Sequence, residues 1–194
     1  MIVLSIILWA VAIIVLAAAL AAGILASRRS QPRLALLATV PVGLGLLGAI
    51  FGLRIAAPDH VVATITALVI AMLGIIVGNP ITVAVLNYAD RGIGPKSVTN
   101  GVHGGIVVND RNAVEPNLHQ PEVLRGGTTI GYVERLVVIA AVLLGRFEIV
   151  VVLIAIKGLG RFSELDSPET RERFIIGTLV SLVWAGACAL LIIL

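Results

Sequence analysis

Four long apolar segments set the strongest limit on what this chain can fold into. They are Ile2–Ala26, Leu34–Leu53, Val61–Leu86 and Phe174–Leu194. A helix needs about 20 residues to cross roughly 30 Å of hydrocarbon, and each segment reaches that length. Only 13% of the residues are charged, about half of what a soluble domain uses to cover its surface. The sequence therefore predicts an all-α, polytopic membrane helix bundle with four transmembrane helices.

The first apolar segment is expected to be a retained span. It is longer than the apolar core of a signal peptide, and no basic residue precedes it.

The basic residues act as topology signals because they flank the apolar segments. The formal net charge is +3, but the chain has no run of Lys or Arg and no aromatic residues interleaved with basic ones. We therefore expect a lipid bilayer rather than a nucleic acid as partner. The first loop carries Arg28, Arg29 and Arg33, which by the positive-inside rule makes it cytoplasmic and places the N-terminal end outside.

The stretch from Glu134 to Arg161 fits no simple span. Its two apolar runs are separated by Arg146-Phe147-Glu148. One continuous helix would bury these two charges near the bilayer centre, at about 2.5–3.5 kcal/mol each. They could not pair on a helix, because residues two apart point to different faces. Two half-helices of about 15 Å would instead reach mid-bilayer and return.

The charge rule favours the second alternative. A full crossing would place the basic residues that follow, Lys157, Arg161, Arg171 and Arg173, outside the cell. A re-entrant hairpin keeps them inside, although its tip would still hold two charges deep in the membrane. We therefore predict a re-entrant helical hairpin, with a fifth span as the alternative.

Three regions follow from this pattern: a three-span membrane region over 1–87, a polar cytoplasmic loop over 88–131, and a C-terminal membrane module over 132–194. Within the loop, Gly105–Val108 is a short strand-like run. The last helix is expected to begin at Ser167-Pro168-Glu169, as N-cap, first helical residue and first-turn acid.

Several small and polar residues within the spans predict packing features. Asn79 and Pro80 predict a kink, because Pro removes a backbone donor. Gly48 with Gly52, and Gly177 with Ser181, are small-residue pairs that let helices approach closely.

Ionisable residues in or beside the membrane gather in the C-terminal region. The cluster is Glu134, Arg135, Arg146, Glu148, Lys157, Arg161 and Glu164. Charge inside a membrane marks either a functional site or a structural ion pair, and both interpretations stay open here. The sequence contains no catalytic motif, and the loop residues His103, Asp110, Glu115 and His119 match no metal-ligand spacing. We expect no cofactor and no metal.

The C-terminal third resembles an integral-membrane protein family of unknown function from bacteria, actinobacteria in particular. The resemblance rests on Ile130–Leu136, Lys157–Glu164 and Glu172–Leu179. It implies that Glu134, Arg135, Lys157, Arg161 and Glu164 belong to one module. It implies no reaction, and the break at Arg146-Phe147-Glu148 is not part of the pattern.

Three classes of function remain for a chain in the bacterial plasma membrane. The favoured one is a non-enzymatic subunit or scaffold, with a protein partner or a second copy docking on the hairpin and the long loop. The alternative is a small-solute or ion transporter or channel lined by Asn79, Arg146 and Glu148. A membrane-embedded enzyme using Glu134 or Glu164 is the third.

Overall fold

The computed structural model describes residues 2–29, 31–53, 57–89, 99–100, 106–107, 127–161 and 168–194. This part of the chain is helical apart from two short strands. The helices are α1 (Ile2–Arg29), α2 (Pro32–Leu37), α3 (Val40–Ile50), α4 (His60–Ala89), α5 (Gly127–Leu143), α6 (Phe147–Arg161) and α7 (Pro168–Ile193). The strands β1 (Thr99–Asn100) and β2 (Ile106–Val107) pair antiparallel.

The helices α1, α4 and α7 coincide with three of the four predicted spans. Each is long and apolar enough to cross a bilayer. Their outward surfaces carry large apolar side chains, such as Ile14 on α1, Leu68 on α4 and Val183 on α7. Exposed apolar surface on that scale is rare on soluble proteins and is typical of a helical membrane protein.

The predicted span Leu34–Leu53 is not one helix but two. The chain turns at Ala38 and Thr39, where the Thr39 hydroxyl donates to the Leu36 carbonyl at 2.7 Å. Pro41 stands in the first turn of α3 and has no N–H to continue the hydrogen bonding of α2. The predicted segment is therefore interrupted at Ala38 and Thr39, and Pro41 is the physical reason.

The helix α4 lies at the centre of the fold and packs against α1, α2, α5 and α7. It runs unbroken through Pro80, so the predicted kink does not end the helix. Leu73 and Val77 are fully buried in the core with Cys188 of α7. The indole N–H of Trp184 adds a hydrogen bond of 3.4 Å to the Leu73 carbonyl. The site described below is built around this helix.

The helices α5 and α6 form an antiparallel hairpin. The chain turns at Leu144 and Gly145, where Gly145 has φ +65°, a conformation that favours glycine. Val142 and Val138 of α5 pack in one apolar cluster with Val150 and Leu153 of α6. With 17 and 15 residues, the two helices measure about 25 and 22 Å. They are longer than the half-helices expected from the apolar runs alone.

The long polar loop is shorter than its predicted range of 88–131. The helix α4 continues to Ala89, and α5 already begins at Gly127, because the first turns of α5 pack beside α4. Within the predicted strand-like run, Ile106 and Val107 pair with Asn100 and Thr99. Helix α7 begins at Pro168 as expected, whereas its predicted N-cap Ser167 lies outside the described residues.

Candidate functional site

The guanidinium of Arg135 is buried where α4, α5 and α7 meet. Arg135 is only 1% exposed, and three hydrogen bonds hold its side chain in place. Nε donates to the Ile75 carbonyl at 2.7 Å. Nη1 donates to the Ser181 hydroxyl at 3.0 Å, and Nη2 donates to Oδ1 of Asn79 at 3.0 Å. One side chain therefore ties three helices together.

Two glycines make room for this guanidinium. A Cβ on Gly78 of α4 would stand 2.5 Å from Cδ and 2.6 Å from Nε of Arg135. A Cβ on Gly131 of α5 would lie 3.2 Å from Oδ1 of Asn79 and 3.3 Å from Nη1 of Arg135. Any larger residue at position 78 would displace the arginine, so the glycine is needed for the close approach of α5 to α4.

All three acceptors of Arg135 are electrically neutral. Among the described residues, no carboxylate lies within ion-pair distance of its guanidinium. The Tyr132 ring, with its centroid 5.4 Å from Cζ, adds a cation–π contact. The positive charge is therefore solvated by dipoles inside the protein and is not cancelled by a directly paired anion.

The neighbouring residue Glu134 faces a different side of α5, about 100° around the helix, and pairs with Lys157 of α6. Nζ of Lys157 donates to Oε2 of Glu134 at 2.5 Å. The side chain of Lys157 is 22% exposed and that of Glu134 is 11% exposed. The ammonium also lies 5.8 Å from the ring centroid of Phe174 on α7. This ion pair links the two helices of the hairpin.

Arg146 and Glu148 lie at the tip of the hairpin and pair with each other at 3.4 Å. They can pair because the segment is not one continuous helix: Arg146 precedes α6 and is not bound by helical geometry. Their side chains are 68% and 65% exposed. A pair this exposed contributes little to stability.

The tip lies level with the end of α7 and not halfway along it. Helices α5 and α7 run in the same direction, since Arg135 contacts Ser181 and Ile139 packs with Ala185 and Ala189. From Arg135 to Arg146 the chain rises by about 16 Å, and from Ser181 to Ile193 by about 18 Å. Because α5 is longer than its apolar run, the hairpin extends to the level of the end of α7, and the depth of its tip in a membrane stays a prediction.

The predicted helix-packing glycines lie in different surroundings. Gly177 lies at the contact of α7 with α4, where an added Cβ would be 3.4 Å from Thr82. Gly52 lies beyond the end of α3 with φ +73°, so it serves a turn and not a helix interface. No described atom outside that turn lies within 4 Å of a Cβ on Gly48. The side chain of Arg161 and all of Glu164 lie outside the described residues.

The hydrogen-bonded set of Arg135, Asn79 and Ser181 was missed as a unit by the sequence reasoning. Each residue was singled out for a different reason: charge, helix kink and helix packing. Two signals could have joined them. A buried arginine needs several acceptors, and few polar side chains exist in these spans. The Gly74-x-x-x-Gly78 pair also marks a close-approach face on α4.

Comparisons with protein-family models, with curated proteins and with solved structures find no match to this chain.

Proposed function

We propose that this chain is a non-enzymatic subunit or scaffold of a complex in the bacterial plasma membrane. The supporting observation is that the charged side chains between its helices are used within the chain. Arg135 donates to three neutral acceptors, and Glu134 is engaged by Lys157. Transporters and membrane enzymes present such groups to a substrate, whereas here they fasten helices to each other.

The proposal includes a topology of six crossings. The segments are α1, the α2–α3 pair, α4, α5, α6 and α7. In this arrangement Arg28, Arg29, Arg171 and Arg173 all lie at the cytoplasmic ends of their helices, as the positive-inside rule requires. The Arg146–Glu148 pair then lies at the outer interface, where its high exposure carries no burial penalty.

The helix α6 is the proposed partner surface. It packs mainly against α5, through a single stripe that includes Val150, Leu153 and Lys157. Its other faces are exposed and apolar, with Val151, Ile156 and Leu159 all more than half exposed. A peripheral helix of this kind can accept a neighbouring transmembrane helix without disturbing the bundle.

The transport alternative has less support. It requires Asn79, Arg146 and Glu148 to line one path. Asn79 contacts Arg135, whereas Arg146 lies about 16 Å further along α5. The enzyme alternative has lost one candidate, since the Glu134 carboxylate is held by Lys157.

Photo-crosslinking in intact bacterial membranes tests the scaffold proposal. A photoreactive amino acid is placed at Val151 or Leu159 on α6, and at Ile14 on α1 as the control. Val151 and Ile14 are equally exposed, at 65% and 66%. We expect one defined protein adduct from the α6 positions only. Lipid adducts alone from every position, or the same protein adduct from Ile14, would contradict the proposal.

A further inference from the structure

Among the residues that the structure describes, the charged side chains of Glu134, Arg135 and Lys157 on and beside α5 do not balance. Arg135 and Lys157 carry two positive charges, and Glu134 carries one negative charge. All three are largely buried, so their interactions are only weakly screened by solvent. A net unit of positive charge in such surroundings is costly unless an anion lies nearby.

Lys157 is the member of this cluster that an external anion can reach. Its side chain is 22% exposed, whereas Arg135 is 1% exposed. An ammonium group has three N–H donors, and the one hydrogen bond it makes among the described residues goes to Glu134. It therefore has donors to spare for a second acceptor.

In the proposed topology Lys157 lies at the depth of the inner-leaflet headgroups. Its ammonium lies beside Phe174, the residue at which the apolar run of α7 begins, directly after Arg173. Lysine side chains at such depths extend toward the interface. Because α6 packs mainly against α5, its exposed side faces the lipid of the inner leaflet in this topology.

We propose that Lys157, together with the unbalanced charge of Arg135, forms a binding site for the phosphate of one anionic phospholipid from the inner leaflet. The lipid supplies the negative charge that the cluster lacks, and its acyl chains lie along the exposed apolar side of α6. The site rests on the proposed topology, which puts Lys157 at the inner leaflet, and not on the scaffold function.

Native mass spectrometry of the full chain in neutral detergent tests this site. The protein is mixed with equal amounts of phosphatidylglycerol and phosphatidylcholine that have the same acyl chains. We expect one phosphatidylglycerol to bind preferentially. Lys157→Gln makes the cluster neutral and should weaken that preference about fivefold, the equivalent of about 1 kcal/mol for one basic residue at a membrane surface.

Matched variants separate this site from general attraction to basic residues. Arg29→Gln removes the same charge from the inner end of α1 and should leave the preference unchanged. Glu134→Gln raises the net charge of the cluster and should strengthen phosphatidylglycerol binding. Equal loss in Lys157→Gln and Arg29→Gln, or weaker binding in Glu134→Gln, would overturn the proposal.

A conservative variant and a competition experiment complete the test. Lys157→Arg keeps the charge and should keep the preference for phosphatidylglycerol. If Lys157→Gln does not fold, Lys157→Arg and Glu134→Gln test the site in its place. Loss of phosphatidylglycerol binding in either of these two variants overturns the proposal. Millimolar inorganic phosphate is then added as a competitor. Retention of phosphatidylglycerol supports the lipid source, whereas displacement by phosphate would assign the site to a soluble anion and overturn the lipid assignment.

Discussion

Nη2 of Arg135 donates a 3.0 Å hydrogen bond to Oδ1 of Asn79, which joins α5 to the one described helix that continues through a proline. The Asn79-Pro80 pair therefore has a partner in the fold. Pro80 has no N–H, so the carbonyl of Ile76 lacks its helical donor. The carbonyl of the preceding residue, Ile75, also accepts a hydrogen bond from Arg135. The arginine thus holds the part of α4 that proline weakens.

Removing the arginine should destabilise the bundle more than removing any one of its acceptors. Arg135→Met leaves the Asn79 amide oxygen and the Ser181 hydroxyl without their donor, at about 1–3 kcal/mol for each unsatisfied group, and removes the second donor from the Ile75 carbonyl. Ser181→Ala removes one partner and should cost about 0.6–2 kcal/mol. Thermal unfolding in detergent measures both. Equal stability of Arg135→Met and wild type would show that the hydrogen bonds do not hold the helices.

Gly78→Ala should destabilise the protein by forcing Arg135 out of its place. The added Cβ would lie 2.5 Å from Cδ of the arginine, and overpacking of this kind costs about 1–3 kcal/mol. Gly186→Ala in α7 is the matched control, because no described neighbour lies within 4 Å of its added Cβ. The control should be neutral or slightly stabilising by the same unfolding measurement. Identical behaviour of the two variants would contradict the close approach of α5 to α4.

The Glu134–Lys157 pair should show energetic coupling between α5 and α6. Each single change to Gln leaves the other charge without its partner, so the double variant should lose less stability than the two single losses added together. We expect a coupling of about 1–3 kcal/mol, in the range for residues in direct contact. A double-mutant cycle of unfolding free energies gives this value. Simple additivity would show that the two helices are not linked there.

Much of the fold could be predicted from the sequence because span length and hydropathy are local properties. The helices α1, α4 and α7 followed from their apolar segments alone. The division of the second segment could have been anticipated from Pro41. By contrast, the partners of Arg135 depend on how three helices pack, which no spacing along the chain encodes. The length of α5 was underestimated because the helix begins at Gly127, before its apolar run.

Gly145→Ala should weaken the hairpin by about 1–2 kcal/mol. This glycine has φ +65° in the turn between α5 and α6, and a left-handed conformation costs roughly that much once a Cβ is present. Gly158→Ala within α6, where an added Cβ meets no described atom within 4 Å, should instead be stabilising by about 0.5–1 kcal/mol. Thermal unfolding of both variants compares the two effects. A loss of stability in Gly158→Ala and none in Gly145→Ala would contradict the turn geometry.

The most direct test of the proposed topology asks on which side of the membrane the hairpin tip and the chain after α6 lie. Single cysteines replace Phe147 and Ser163 in a Cys188→Ala background, and a membrane-impermeant maleimide is applied to intact cells and to inverted vesicles. Arg29→Cys serves as the cytoplasmic control. In the proposed topology, position 147 is labelled only in intact cells and position 163 only in inverted vesicles. Protection of position 147 from both sides, or labelling of position 163 from outside, would contradict it.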